Sequence, residues 1–89
     1  MNEFEEALKK YLMTKAAEIL KCDETEVFWE DDIDEYGFAS MEVNQLCVDL
    51  NDFFAIDTQP ALFLEITSLE VLSQYLKQKY FSSIENKLL

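Results

Sequence analysis

Apolar residues recur at helical spacing in three parts of the chain, and the first part covers roughly residues 3–21. Its apolar positions fall near one face, while glutamates and lysines take the others. They are Phe4, Leu8, Leu12, Ala16, Ile19 and Leu20. A membrane-surface helix is disfavoured, because acids and lysines are mixed on the polar face instead of being uniformly basic. The pattern predicts a helix that packs on a core.

A second helix is predicted from Ser40 to about Phe54. Its apolar positions are Val43, Leu46, Cys47, Leu50, Phe53 and Phe54, and their spacing is typical of a helix that faces a core. At about 100° per residue, the opposite ridge holds Met41, Gln45, Val48 and Asp52. Two apolar side chains on this ridge, with Glu42 and Asp49 beside them, indicate either a small docking surface or chance exposure.

The remainder of the chain predicts a short helix and a long one. Pro60 suits the first position of the short helix. The apolar residues that follow it should close one side of the core, and they are Leu62, Phe63 and Leu64. Thr67 and Glu70 have the spacing of a capping box, with Thr67 as the cap of the last helix. That helix has an apolar stripe of Leu69, Leu72, Leu76 and Tyr80, which Phe81, Ile84 and Leu88 extend.

This order of elements predicts an all-α fold. We expect a small four-helix bundle with a long loop between helices 1 and 2 and a short third helix. A single domain should cover residues 1–89, because a chain of this length can bury one modest core. Its core should span about residues 4–80, followed by a C-terminal tail of residues 81–89.

Residues 22–39 form the long connection, which exceeds the roughly 12 to 15 residues usual for structureless loops. It contains large apolar residues, several of which should pack it against the helices: Val27, Phe28, Trp29, Ile33, Tyr36 and Phe38. Its acidic residues resemble a calcium loop starting at Asp32. Tyr36 and Val43, however, occupy two positions where oxygen ligands are needed. No metal site is predicted, although a weak divalent-ion contact remains open.

Charge and composition narrow the classes of function. The net charge of −12 disfavours nucleic acid and anionic membranes, and it favours partners with basic patches. The chain has no histidine, which excludes a Ser-His-Asp hydrolase, and no glycine-rich phosphate loop, so we expect no catalysis. No apolar run is long enough to span a membrane, and the N-terminus lacks the blocks of a signal peptide. We expect a cytoplasmic monomer whose Cys22 and Cys47 are reduced thiols.

The chemistry-bearing stretch is the segment from Gly37 to Ser40. Gly37 is the only glycine, and it predicts a tight turn with positive φ. Ser40 follows at the start of the second helix, where unpaired N–H groups and the helix dipole favour negative charge. The residues alone leave two roles open for its hydroxyl, since serine is also a preferred N-cap.

The segment Gly37-Phe38-Ala39-Ser40-Met41 resembles the attachment motif of the acyl carrier proteins, and the resemblance extends over roughly residues 4–80. The family pattern is glycine, an apolar residue, aspartate, serine and an apolar residue, so Ala39 departs from it. The helix that follows is also similar to the family, at Leu46, Leu50 and Phe54. The similarity continues at Ile56, Leu62-Phe63, Thr67 and Tyr75-Leu76. Asn44 and Gln45 replace the usual apolar and acidic pair, and with Ala39 they favour a polyketide or hybrid pathway.

The resemblance implies a carrier with 4′-phosphopantetheine, taken from coenzyme A, on the Ser40 hydroxyl. Acyl or polyketide intermediates would be carried as thioesters on its thiol. The implied partners are a phosphopantetheinyl transferase, a ketosynthase, an acyltransferase or related enzymes. They are expected to dock on Met41, Glu42, Gln45, Val48, Asp49 and Asp52. Two alternatives stay open, namely an unmodified acidic adaptor that uses the same helix and a divalent-ion binding module.

Overall fold

A computed structural model describes residues 2–89 and confirms the all-α prediction within that range. It contains three α-helices, α1 (Glu3–Leu20), α2 (Ser40–Phe54) and α3 (Leu69–Leu88). Three short 3₁₀ helices lie between them, at Glu24–Glu26, Ile33–Glu35 and Pro60–Leu64. The predicted short third helix is therefore a 3₁₀ helix, and the count of α-helices is three rather than four.

Helix α1 begins with a reciprocal cap. The backbone N–H of Glu5 donates to Oδ1 of Asn2 at 2.8 Å, and the N–H of Asn2 donates to Oε1 of Glu5 at 3.1 Å. The helix ends where Lys21 adopts a left-handed conformation. Its predicted stripe is buried at Phe4, Leu8, Leu12 and Ala16, and Ile19 and Leu20 are partly buried.

Helix α2 has the predicted bounds and buries Leu46, Cys47, Leu50 and Phe54. The prediction for Phe53 is wrong, because 39% of this residue is exposed. On a helical wheel Phe53 lies at the edge of the apolar stripe. Its ring stacks on Tyr11 with 5.0 Å between the centroids, so the side chain covers the bundle from outside.

The N-cap of helix α3 lies one residue later than predicted. Ser68 is the N-cap and accepts a hydrogen bond from the N–H of Val71 at 3.2 Å, so the assignment of Thr67 as cap is wrong. Tyr80 has non-helical φ and ψ, and its hydroxyl donates to the carbonyl of Asp57 at 2.9 Å. The helix continues beyond this kink into the segment expected as a tail, where Ile84 is fully buried.

The connection between α1 and α2 is fixed by its own side chains and backbone. Val27, Ile33 and Phe38 are buried. The N–H of Ile33 donates to the carbonyl of Thr67 at 2.8 Å, and the N–H of Glu70 donates to the carbonyl of Trp29 at 3.0 Å. These bonds attach the connection to the start of α3, and this holds the residues before Ser40 in place.

The 3₁₀ helix Pro60–Leu64 only partly fulfils its predicted role. Leu62 and Phe63 pack against the core, whereas Leu64 is 85% exposed, contrary to the expectation that it would help close the core. With three residues per turn, consecutive side chains in a 3₁₀ helix point about 120° apart, so three in a row cannot all face inward. Within residues 2–89, no helix is long and apolar enough to cross a membrane.

Candidate functional site

The turn before α2 depends on Gly37. This residue has φ of +129°, which confirms the predicted positive φ. A Cβ added to it would lie 3.0 Å from Cδ2 of Leu20 in α1. The next residue, Phe38, is buried, and its N–H donates to the carbonyl of Ile33 at 3.1 Å. The turn thus anchors the chain two residues before Ser40.

Ser40 is the first residue of α2, and Ala39 occupies the N-cap position. Oε1 of Glu42 accepts a hydrogen bond from the N–H of Ala39 at 3.0 Å, which is the carboxylate half of a capping box. The hydroxyl of Ser40 makes no hydrogen bond within residues 2–89, and the residue is exposed. The cap role left open for Ser40 therefore does not apply, because Ala39 holds that position.

The surroundings of Ser40 suit an attached phosphate group. The N–H groups of the first turn of α2 have no partners within the helix, and the positive end of the helix dipole lies there. Such a helix start stabilises a phosphate. Both Ala39 and Ser40 are exposed, so this helix start is accessible from solvent.

A groove of about 400 Å³ opens beside Ser40, between α2 and the 3₁₀ helix Pro60–Leu64. Its walls are formed by Phe38, Ala39, Ser40, Val43, Asn44, Pro60, Phe63 and Leu64. A smaller cleft of about 160 Å³ shares Phe38, Val43 and Phe63 with this groove. Sequence reasoning missed the exposed position of Leu64 at the rim, since only the 3₁₀ geometry turns it outward.

The ridge of α2 opposite the core is exposed as predicted, with Met41 79% and Val48 51% exposed. Gln45 and Asp52 on the same ridge are exposed as well. The carboxylate of Asp49 is already engaged within the chain, because its Oδ1 accepts a hydrogen bond from Nε2 of Gln45 at 2.8 Å. Its Oδ2 also lies 3.9 Å from Nζ of Lys15.

Charge is unevenly distributed along the chain. All seven basic residues are lysines of α1, its C-cap Lys21 or α3, and none occurs between residues 22 and 76. Most of the 19 acidic residues lie in that range, which includes the connection and α2. The connection and α2, which flank Ser40 in the sequence, are thus strongly negative, and negative charge attracts basic partners.

The other reactive side chains do not form a site in residues 2–89. Cys22 and Cys47 are free thiols, and burial raises the pKa of the Cys47 thiol, which keeps it protonated near neutral pH. The acidic residues do not assemble a metal-binding group of three or more ligands in this range. The divalent-ion alternative therefore gains no support from the geometry.

Comparison with known protein families gives one match. A family model described as a phosphopantetheine attachment site matches residues 10–76, which include most of α1, the Gly37 turn, all of α2 and the start of α3. No curated protein and no solved structure matches the chain.

Proposed function

The chain belongs to the phosphopantetheine attachment-site family, whose members carry 4′-phosphopantetheine covalently on a serine, and we propose that Ser40 is that serine here. Three serines lie in the matched range. Ser68 is buried and caps α3, and the hydroxyl of Ser73 donates to the carbonyl of Glu70 at 2.7 Å. Ser40 alone combines an exposed hydroxyl, no internal hydrogen bond and a helix N-terminus, and this observation carries the proposal.

The residues around Ser40 have separate tasks in this account. Gly37 and the buried Phe38 fix the position of the hydroxyl, and Ala39 leaves the approach to it open. The first turn of α2 stabilises the negative charge of the phosphodiester through its N–H groups. When bound, the phosphopantetheine group supplies a flexible arm and a thiol on which acyl or polyketide groups travel as thioesters.

The proposed role is that of a non-catalytic acyl carrier. The chain supplies the attached arm, and the partner enzymes supply the catalytic groups. These would include a phosphopantetheinyl transferase and, in a polyketide pathway, a ketosynthase or an acyltransferase. The exposed ridge of α2 combines apolar and polar side chains, as protein interfaces do, and this supports docking of the partners on it. This ridge and its flanks hold Met41, Glu42, Gln45, Val48, Asp49 and Asp52.

The test is incubation with coenzyme A and a phosphopantetheinyl transferase of broad specificity, followed by intact-mass measurement. The native chain should gain the mass of one phosphopantetheine group, and so should the matched control Ser73→Ala. Ser40→Ala should gain nothing. A native chain that stays unmodified would favour the alternative of an acidic adaptor, for which the exposed Met41 and Val48 would be the binding residues.

A further inference from the structure

Two adjoining grooves lie between α1, the connection and α2, and the 3₁₀ helix Pro60–Leu64 does not line either of them. One of about 670 Å³ lies between the end of α1 and the connection, and one of about 440 Å³ lies between the end of α1 and the first turns of α2. They share Ile19, Lys21 and Glu42. Together they form one continuous depression, which we call the α1–α2 trough.

Exposed apolar side chains lie at the two ends of the trough. Phe28 lies at the end formed by the connection and is 47% exposed. Met41 lies at the other end, next to Ser40, and is also exposed. The ring of Phe28 is held edge-on against Tyr36, with 5.7 Å between the centroids. Partly buried Ile19 and Leu20 lie between the two ends. Apolar groups at two separated points fit a segment that lies along the trough better than a single inserted side chain.

The polar lining of the trough is mostly acidic. Four carboxylates line it against one lysine, Lys21, and they are Glu18, Glu26, Glu42 and Asp49. All four carboxylates are oriented by hydrogen bonds: Glu18 accepts from Nζ of Lys15, Glu26 from the N–H of Asp23, Glu42 from the N–H of Ala39 and Asp49 from Nε2 of Gln45. Each of these bonds uses one carboxylate oxygen. Lys15 also lies 3.9 Å from Asp49, so it offsets part of the charge of Glu18 and Asp49, whereas Glu26 and Glu42 pair with no lysine within residues 2–89. The second oxygen of Glu26 and of Glu42 remains available to a cation.

The groove on the opposite side of Ser40 has a different character. Its lining contains no charged residue and is mainly apolar, with Val43, Phe63 and Leu64 among its walls. The two grooves therefore offer different chemistry, because the trough presents complementary charge to a basic segment and the lining of the opposite groove does not.

We propose that the α1–α2 trough is the docking site for a basic, amphipathic segment of the transferase that modifies Ser40. Its apolar residues contact Phe28 and Met41, and its lysines or arginines meet Glu26 and Glu42. This inference rests on the proposed function, and it adds the end of α1 and the connection to the ridge of α2. The opposite groove is left free for the attached arm.

The test uses the Ser40→Ala chain, which cannot be modified, and measures its dissociation constant for a phosphopantetheinyl transferase with coenzyme A by calorimetry. Adding Phe28→Ala should weaken binding about tenfold, as expected when a large, half-exposed ring loses its contact. Val71→Ala, at an exposed position of α3, is the matched control and should bind as before. Leu64→Ala, at the rim of the opposite groove, should change binding less than twofold.

Charge is tested separately, because Phe28→Ala could disturb the connection. Glu26→Lys should weaken binding most at low salt, and Glu6→Lys, the same change near the start of α1, should have a much smaller effect. Circular dichroism checks that each variant melts like its parent.

The inference is overturned if folded Phe28→Ala and Glu26→Lys both bind like their parent, or if Leu64→Ala produces the larger loss. The proposed function fails by a different result. Either the native chain gains no phosphopantetheine, or the Ser40→Ala chain gains it.

Discussion

Substitution of Gly37 should destabilise the fold and displace Ser40. At φ of +129°, a side chain is strained whatever the space around it, and the cost of such a conformation is about 1–3 kcal/mol. Valine adds a branched Cβ that would start 3.0 Å from Cδ2 of Leu20. Because Leu20 is partly buried, its side chain can rotate only at the expense of its packing against the core.

For a domain of this size, each kcal/mol lowers the melting temperature by about 4–8 °C. We therefore expect Gly37→Val to melt at least about 4 °C below the native chain, measured by circular dichroism at 222 nm. Loading of Ser40 by a transferase should also be slower, because the turn fixes the position of the hydroxyl. An unchanged melting temperature together with an unchanged loading rate would refute this reasoning.

A double-mutant cycle separates the two sources of the cost. Gly37→Ala is combined with Leu20→Ala, which removes the atom nearest to the new Cβ. If the steric contact dominates, Gly37→Ala should cost less in the Leu20→Ala background than in the native one. If backbone strain dominates, the two costs should be equal within about 0.3–0.5 kcal/mol.

Three further predictions concern the rest of the domain. Tyr36→Phe should stabilise the chain by about 1 kcal/mol in urea unfolding, because it removes a buried hydroxyl that has no partner in residues 2–89, and a lower midpoint would contradict this. Burial raises the pKa of Tyr36 to about 12 in the folded state, so native stability should fall as pH rises from about 10 toward 12. Tyr36→Phe should flatten that loss, and identical pH profiles would argue against it. Asn51→Ala should cost about 1–3 kcal/mol, since Asn51 accepts from the N–H of buried Thr58 at 2.7 Å and donates to its carbonyl, and an unchanged melting temperature would show these bonds to be dispensable.

The helices and the position of Ser40 could be predicted from sequence because local rules determine them. The apolar period of α2 begins directly after the Gly37 turn, so its first residue and its exposed ridge both follow from the pattern. The net charge and the absence of histidine exclude or disfavour several classes of function from the sequence alone.

The features that could not be predicted depend on tertiary contacts. Phe53 and Leu64 are apolar residues at positions where the pattern permits burial, and only the packing of α1 and the 3₁₀ geometry place them outside. Thr67 has the right spacing for a cap, but its carbonyl accepts the N–H of Ile33, and Ser68 takes the cap position instead. The α1–α2 trough brings together residues that are distant in sequence, such as Ile19 and Met41, so no local pattern indicates it.

The position of the modification tests the central claim most directly. After loading with coenzyme A and a transferase, digestion with a glutamate-specific protease should release the peptide Tyr36–Glu42, in which Ser40 is the only serine. Tandem mass spectrometry should find the whole phosphopantetheine mass on this peptide. Finding that mass instead on a peptide that contains Ser68 or Ser73, or finding no modified peptide at all, would contradict the central claim.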